Sequence, residues 1–206
     1  MNRCLICNKV IEETLGSLLE GYKLCYGCFD AFKIRNKQFI INGVKGIVLY
    51  YYDEFFRDVL FRYKGIGDYM LKDVFISYNL NVLKKRYKGY SVVCAPSNES
   101  KESKRGFSHL EEIFKSFNLN IIRCFKKEIE WKQSDKNFEE RAKIQNIIKI
   151  DKEMLSGIKK VLLVDDVLTS GSTIKTMISQ IPSNISIKVL ILASNCRILR
   201  NEIIWN

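Results

Sequence analysis

The sequence predicts an α/β protein: a mostly parallel sheet with flanking helices, preceded by a small N-terminal metal-binding module. Three observations carry this. Val161–Val164 is a run of four aliphatic residues, the pattern of a strand buried on both faces. Strand-like and helix-like segments alternate through the second half of the chain, as βαβ units do. Four cysteines, Cys4, Cys7, Cys25 and Cys28, stand as two C-x-x-C pairs, a spacing that suits one tetrahedral metal.

Residues 1–42 are expected to form the Cys₄ module and residues 43–206 the α/β domain. The first 40 residues hold no long periodic stretch. Gly46–Tyr52, aliphatic and aromatic, is a strand candidate. Phe55–Tyr63 and Tyr69–Arg86 carry apolar residues at helical spacing, separated by the K-G-I-G-D break at Lys64–Asp68. Ser91–Ala95 is a short apolar strand running into a loop at Pro96, and Ser97–Arg105 is polar and charged. Phe107, Leu110, Ile113, Phe114 and Phe117 mark an amphipathic helix. Asn120–Phe125 is a strand candidate, Lys126–Asn137 reads as an extended loop, and Phe138–Gln145 as a short helix. After the Val161–Val164 strand, Thr173–Ile181 is helical and stopped by Pro182, and Ile185–Ala193 is the next strand. No internal repeat or low-complexity segment is present.

Apolar residues make up 47% and charged residues 28% of the 206, as in a globular protein. No apolar stretch approaches the about 18–20 residues of a membrane span; Ile185–Ser194 comes nearest, and Lys188 interrupts it. The start, M-N-R-C-L-I-C, has no secretory pattern. The expected location is the cytoplasm, with peripheral attachment at the inner face of the membrane left open. Lys and Arg outnumber Asp and Glu by 34 to 23, a formal charge of +11. This excess suits a polyanionic partner; a Lys-, Ile- and Asn-rich composition of an AT-rich genome gives it without one. Seven cysteines, an odd count without a signal peptide, argue against a disulfide framework.

The segment V-L-L-V-D-D-V-L-T-S-G-S-T at Val161–Thr173 carries the clearest chemistry. A strand ends at Val164, two carboxylates follow, then a small-residue loop enters a helix. Ligands of open α/β sheets bind at the carboxyl ends of strands, and a helix N-terminus offers free N–H groups and a positive dipole end to phosphate. Thr169, Ser170, Ser172 and Thr173 add hydroxyls, and Gly171 lets the backbone approach closely. Asp165 and Asp166 would repel phosphate directly; they suit sugar hydroxyls and a Mg²⁺ shared with the ligand. A ribose 5-phosphate satisfies both halves. An ordinary strand–turn–helix with an Asp pair remains the bland alternative, and a phospho-acceptor aspartate a weaker rival. No G-x-x-x-x-G-K-[ST] loop occurs.

The 17 residues between the two cysteine pairs let the chain fold back and close a Cys₄ site, with zinc favoured over iron and a redox dithiol or buried thiols as alternatives. Lys9, Lys23, Lys33, Arg35 and Lys37 flank the cluster, with Tyr22, Tyr26, Phe29 and Phe32 interleaved. Basic and aromatic groups together suit single-stranded nucleic acid; the aromatics also suffice for a mini-core of the module.

The Val161–Thr173 segment resembles the 5-phosphoribosyl-1-pyrophosphate (PRPP) motif of type I phosphoribosyltransferases. With a Cys₄ module ahead of it, the chain resembles the ComF family of competence proteins. K-R-G-F-S-H at Lys104–His109 is similar to that family's R-G-F-N-Q segment, with Ser108 and His109 in place of Asn and Gln. W-K-Q-S at Trp131–Ser134, E-R-A-K-I-Q-N at Glu140–Asn146 and R-Y-K-G-I-G-D at Arg62–Asp68 resemble further family segments, while C-A-P-S-N-E-S at Cys94–Ser100 replaces its P-V-P-L-H, losing a His and gaining Glu99. The resemblance implies a phosphoribosyltransferase-like fold, structural Zn²⁺, PRPP bound with Mg²⁺, and handling of single-stranded DNA during uptake in natural transformation, with other competence proteins such as a helicase or uptake channel as partners. It leaves open an enzyme that transfers phosphoribose from PRPP to a base or amine and releases pyrophosphate. Pro96, Ser97, Lys101 and Arg105 are candidates for the pyrophosphate side, with Lys104 beside them; the three cations suit DNA phosphates or a solvated basic loop as well. Lys126, Lys127, Lys132 and Gln133 lie where such proteins carry a mobile lid. His109, the single histidine, could on the register of its helix point to the site or sit at the surface; a satisfied or exposed position is the favoured expectation.

Overall fold

The computed structural model describes residues 2–11, 23–131, 144–195 and 204–205. In chain order its elements are α1 (Tyr26–Asp30), β1 (Ile34–Ile41), β2 (Val44–Tyr51), α2 (Glu54–Phe61), a π-turn (Arg62–Ile66), 3₁₀ turns at Tyr69–Val74 and Ser77–Asn79, and α3 (Leu80–Arg86). Then come β3 (Ser91–Cys94), α4 (Glu99–Arg105), α5 (His109–Phe114), β4 (Phe125–Trp131), β5 (Ile144–Ile150), β6 (Lys160–Leu168), α6 (Ser172–Gln180), β7 (Ser186–Ser194) and β8 (Ile204–Trp205).

Six strands form one sheet in the order β3-β6-β7-β2-β1-β8. Its β3-β6-β7-β2 centre is parallel, and β1 and β8 add antiparallel pairings at one edge. The mixed α/β class expected from sequence, with its mostly parallel sheet, is the one found. Val161–Val164 and Val189–Ala193 are fully buried at the centre, as continuous aliphatic runs between helix layers should be. α2 begins where the Asp53 carboxylate accepts the Phe56 N–H at 3.0 Å, a side-chain cap, and it buries Phe56, Val59 and Leu60.

Several elements differ from the expectation. The β1–β2 hairpin turns on Asn42 (φ 47°) and Gly43 (φ 74°), an Asn-Gly turn whose twist matches the strands it joins. The boundary expected at 42/43 therefore falls inside a hydrogen-bonded hairpin, and β1 belongs to the sheet. The helix expected over Tyr69–Arg86 is broken into two 3₁₀ turns and α3, which lets Val74, Phe75 and Ile76 all turn inward. Ser97–Arg105 holds a helix, α4, capped by the Asn98 side chain at 2.9 Å. Of the strand expected at Asn120–Phe125, Ile121 makes a single parallel bridge to Val92, and Phe125 begins β4. Lys126–Asn137 opens as a strand: β4 pairs with β5 in a separate two-stranded ribbon. The helix expected at Phe138–Gln145 lies mostly outside the described residues, and Ile144 and Gln145 begin β5.

The N-terminal module is tied to the body. Arg62 Nη1 donates to the Ile6 carbonyl at 2.9 Å, Lys23 pairs with Asp73, and the Phe29 ring sits 4.8 Å from Tyr78. Phe32 is 4% exposed and packs against Tyr50, Phe55 and Phe56 in the main core. No helix among the described residues is long and apolar enough to cross a membrane.

Candidate functional site

β6 does not stop at Val164; it continues through both carboxylates to Leu168. Its two-residue alternation then gives the two acids different surroundings. Asp166 is buried, at 8% exposure, and Asp165 half-buried. Asp165 Oδ1 accepts the Asp166 backbone N–H at 2.8 Å.

Asp166 is held by two groups from elsewhere in the chain. Lys64 Nζ donates to its Oδ2 at 2.5 Å, and His109 Nε2 stands 3.1 Å from the same oxygen. Lys64 comes from the π-turn, which closes on Gly67 at φ 91°, a left-handed conformation that suits glycine. Arg62 bracing Asp68 at 2.9 Å spans that turn. His109 opens α5, and the Tyr63 hydroxyl donates to its carbonyl at 2.8 Å. Arg105 donates to the carbonyls of Phe107 (3.1 Å) and Lys64 (2.8 Å), with Nη2 at 3.5 Å from His109 Nδ1. The guanidinium thus braces the Lys64 turn and the start of α5, and faces the nitrogen of the ring turned away from Asp166.

The electrostatics divide the acid pair. Burial and the neighbouring Asp166 charge push the Asp165 carboxyl up to about 8. For Asp166, burial opposes ionisation, but the His109 hydrogen bond and the Lys64 charge outweigh it and hold the carboxyl well below the usual carboxylate range. The two shifts run in opposite directions and make Asp166 the more readily ionised of the pair.

Beyond Leu168 the loop exposes Thr169 and Ser170, and Gly171 takes φ 74° as the residue before α6. Ser170 Oγ lies 3.1 Å from Ser172 Oγ and accepts the Ser172 N–H at 3.3 Å. The N-cap Gly171 has no side chain to cap α6, so the first-turn donors beyond the Ser172 N–H lack a side-chain cap, an arrangement that receives anions. Pro96 and Ser97 follow β3 on the same end of the sheet, where the Ala95 N–H donates to the Val164 carbonyl at 2.9 Å. Burial works against the Glu102 carboxylate, and the hydroxyls of Ser108 and Ser97 lower its pKa. Lys101 is exposed on α4. Lys132 and Gln133 lie outside the described residues. Lys64 is visible in the sequence only as part of a turn motif, and for His109 the sequence favours a satisfied or exposed position over the site; the structure buries it against Asp166.

The four module thiols form a second centre. The Cys4, Cys7, Cys25 and Cys28 sulfurs all lie within 4.8 Å of one another, and Cys7 and Cys25 are 3.6 Å apart. A tetrahedral ion with metal–sulfur bonds of about 2.3 Å sets its sulfurs about 3.8 Å apart, so the set fits a four-coordinate metal such as zinc. Cys4 begins a tight turn in which its carbonyl accepts the Asn8 N–H at 2.9 Å, and Cys25 precedes α1. The Leu5 N–H donates to the Lys23 carbonyl at 3.0 Å, joining the two turns. Burial of Cys4 opposes its thiolate, yet backbone N–H groups of Cys25, Cys7 and Ile6 bring its pKa down to about 6. Burial, then hydrogen bonds from the other cysteines, raise Cys28.

No family model matches the chain. The competence protein ComFC of Streptococcus pneumoniae (strain ATCC BAA-255 / R6) is 33% identical over 204 residues, covering 84% of this chain and 90% of that protein. The chain belongs to the ComFC family of competence proteins. Similar solved structures include a hypoxanthine phosphoribosyltransferase of Staphylococcus aureus (18% identity, 68% of this chain and 64% of that one, TM-score 0.33). The chain thus spans under two thirds of that enzyme. Adenine phosphoribosyltransferases of Giardia lamblia (16% identity, 61% and 80%, TM-score 0.35) and Leishmania donovani (12%, 72% and 83%, TM-score 0.37) are also similar.

Proposed function

We propose that this ComFC-family chain binds PRPP, or a closely related ribose phosphate, at the carboxyl end of β6 and binds single-stranded DNA, supporting its uptake in natural transformation. One observation carries the ligand reading: the acid pair of a half-buried Asp165 and a buried Asp166 is followed, after Val167–Gly171, by the first turn of α6. The ribose hydroxyls go to the carboxylates, and the 5-phosphate to the backbone and hydroxyls of Thr169, Ser170, Gly171, Ser172 and Thr173. Oxygen donors of the acid pair suit Mg²⁺, which would neutralise the pyrophosphate. Lys64 already stands on Asp166 and swings from it to the ligand's anionic oxygens. Pro96, Ser97, Lys101 and Arg105 border the pyrophosphate end, with Lys132 and Gln133 as the lid. The Cys₄ module holds Zn²⁺ in a structural role, because all four positions are filled by protein sulfur. It offers DNA the exposed Tyr26 and Lys9. The protein acts in the cytoplasm, with competence proteins at the membrane as partners.

The test is calorimetry of the full chain with PRPP, with and without Mg²⁺ and a single-stranded oligonucleotide. Stoichiometric, Mg²⁺-dependent PRPP binding supports the reading, and absence of any heat or displacement rejects it.

A further inference from the structure

The cations of the Cys₄ module are largely engaged within the protein. Lys33 pairs with Asp53 at 3.1 Å, Lys23 with Asp73, and Arg35 Nη1 donates to Ser194 Oγ at 2.7 Å, while Phe32 is core. The opposite end of the sheet is different. There a cleft of about 170 Å³ lies between the starts of β2 and β7 and the end of α3. Lys45, Lys188 and Arg86 line it with Tyr87, Tyr90 and Gln38, and its lining holds no carboxylate. Gly46 pairs with Val189 in the parallel β2–β7 ladder, so Lys45 and Lys188 stand one step earlier on neighbouring strands. Like charges so placed repel. Among the described residues none of Lys45, Arg86 and Lys188 pairs with an acid. Arg86 also complements the dipole at the end of α3; that explains one cation and leaves the two lysines without a structural purpose.

We infer that this cleft is an anion site for the backbone phosphates of single-stranded nucleic acid, on the end of the sheet opposite the Asp165–Asp166 site. This rests on the reading above that the chain handles single-stranded DNA, and places its main phosphate contacts. A polymer fits better than a small phosphate because the positive charge does not end at the cleft. Lys160, at the start of the next strand, lies 5.8 Å over the Tyr90 ring, and Lys85 and Lys88 are exposed beside Arg86. On strands about 4.8 Å apart, Lys45 of β2 stands level with Lys188 of β7, and Lys160 of β6 is level with Ser186, two residues before Lys188, so the three lysines step obliquely across the starts of neighbouring strands. Such a track neutralises successive phosphates and releases their counterions.

The test is fluorescence anisotropy of labelled oligothymidylate with the zinc-loaded full chain and its Lys45→Gln/Lys188→Gln variant, over a salt series. Each lost contact on a single strand lowers the salt slope by about 0.7, so the double variant is expected to lose about 1.4 of slope and on the order of 10-fold or more in affinity at 0.1 M salt. PRPP binding, read separately, should not change. If the double variant unfolds, Arg86→Gln alone gives the readout, with about half that slope loss. Wild-type affinity in the variants overturns the cleft and leaves DNA binding by the chain standing. No binding by wild type overturns both. Inorganic pyrophosphate that saturates the wild type at micromolar concentration, is lost in the variant and leaves oligonucleotide binding untouched assigns the cleft to a small phosphate and overturns the proposal.

Discussion

His109 Nε2 lies 3.1 Å from Asp166 Oδ2, across 57 residues of sequence and with both side chains buried. Lys64 Nζ meets the same oxygen. The two donors differ in what their loss should do. His109 is almost fully buried, so His109→Ala removes a hydrogen bond to a charged group and is expected to cost about 1.5–3 kcal/mol. His109→Gln, which restores the residue found in the resembling family segment, retains a donor and should cost under about 1 kcal/mol. The Lys64 side chain is 39% exposed; with solvent screening, Lys64→Met is expected to cost about 1 kcal/mol. Urea denaturation checks all three.

The acid pair has a pH signature. Burial raises the Asp165 carboxyl from the ordinary 3.8 to about 8 in the folded state, so the folded state holds this proton more tightly than the unfolded chain. Its contribution is fully present below the unfolded value and is lost as pH rises from about 4 through about 8. Asp165→Asn mimics the protonated acid and removes that loss. The melting temperature of Asp165→Asn should therefore gain on wild type as pH rises from 4 to 8.5. A constant offset would contradict the raised carboxyl. Asp166 behaves oppositely: its depressed pKa stabilises the fold above its unfolded value and is lost as pH falls through acid toward the folded value, so Asp166→Asn should be most costly at neutral pH.

The cysteine cluster is expected to bind about one zinc per chain. Chelation should lower the melting temperature and loosen the contacts that dock the module, Phe29 on Tyr78 and Arg62 on the Ile6 carbonyl. Elemental analysis of reduced protein checks stoichiometry, and hydrogen exchange at residues 2–11 and 23–30 checks the coupling.

What was legible in the sequence follows the strength of local patterning. Val161–Val164 and Ile185–Ala193 read as strands because both faces are buried, leaving uninterrupted aliphatic runs. The paired cysteines were legible for the same local reason. β1 was not, because its burial pattern is irregular and its first residues are exposed; the Asn42-Gly43 turn was the signal for it. β4 escaped because F-K-K-E-I-E-W lacks clean alternation and pairs only with β5. At the site, Asp165–Thr173 was readable as one contiguous segment. Lys64 and His109 were not, since their role exists only once the π-turn and α5 are folded against β6. A lone histidine in sequence carries no mark of the carboxylate it will meet.

The central claim is that the β6 acid pair receives a ribose phosphate. Calorimetry of PRPP with the Asp165→Asn/Asp166→Asn double variant, in Mg²⁺ and beside wild type, tests it most directly. The expected result is stoichiometric binding by wild type and loss of binding, at least 100-fold (about 2.7 kcal/mol), in a variant that still melts cooperatively. PRPP binding of equal affinity in the folded double variant would contradict the assignment.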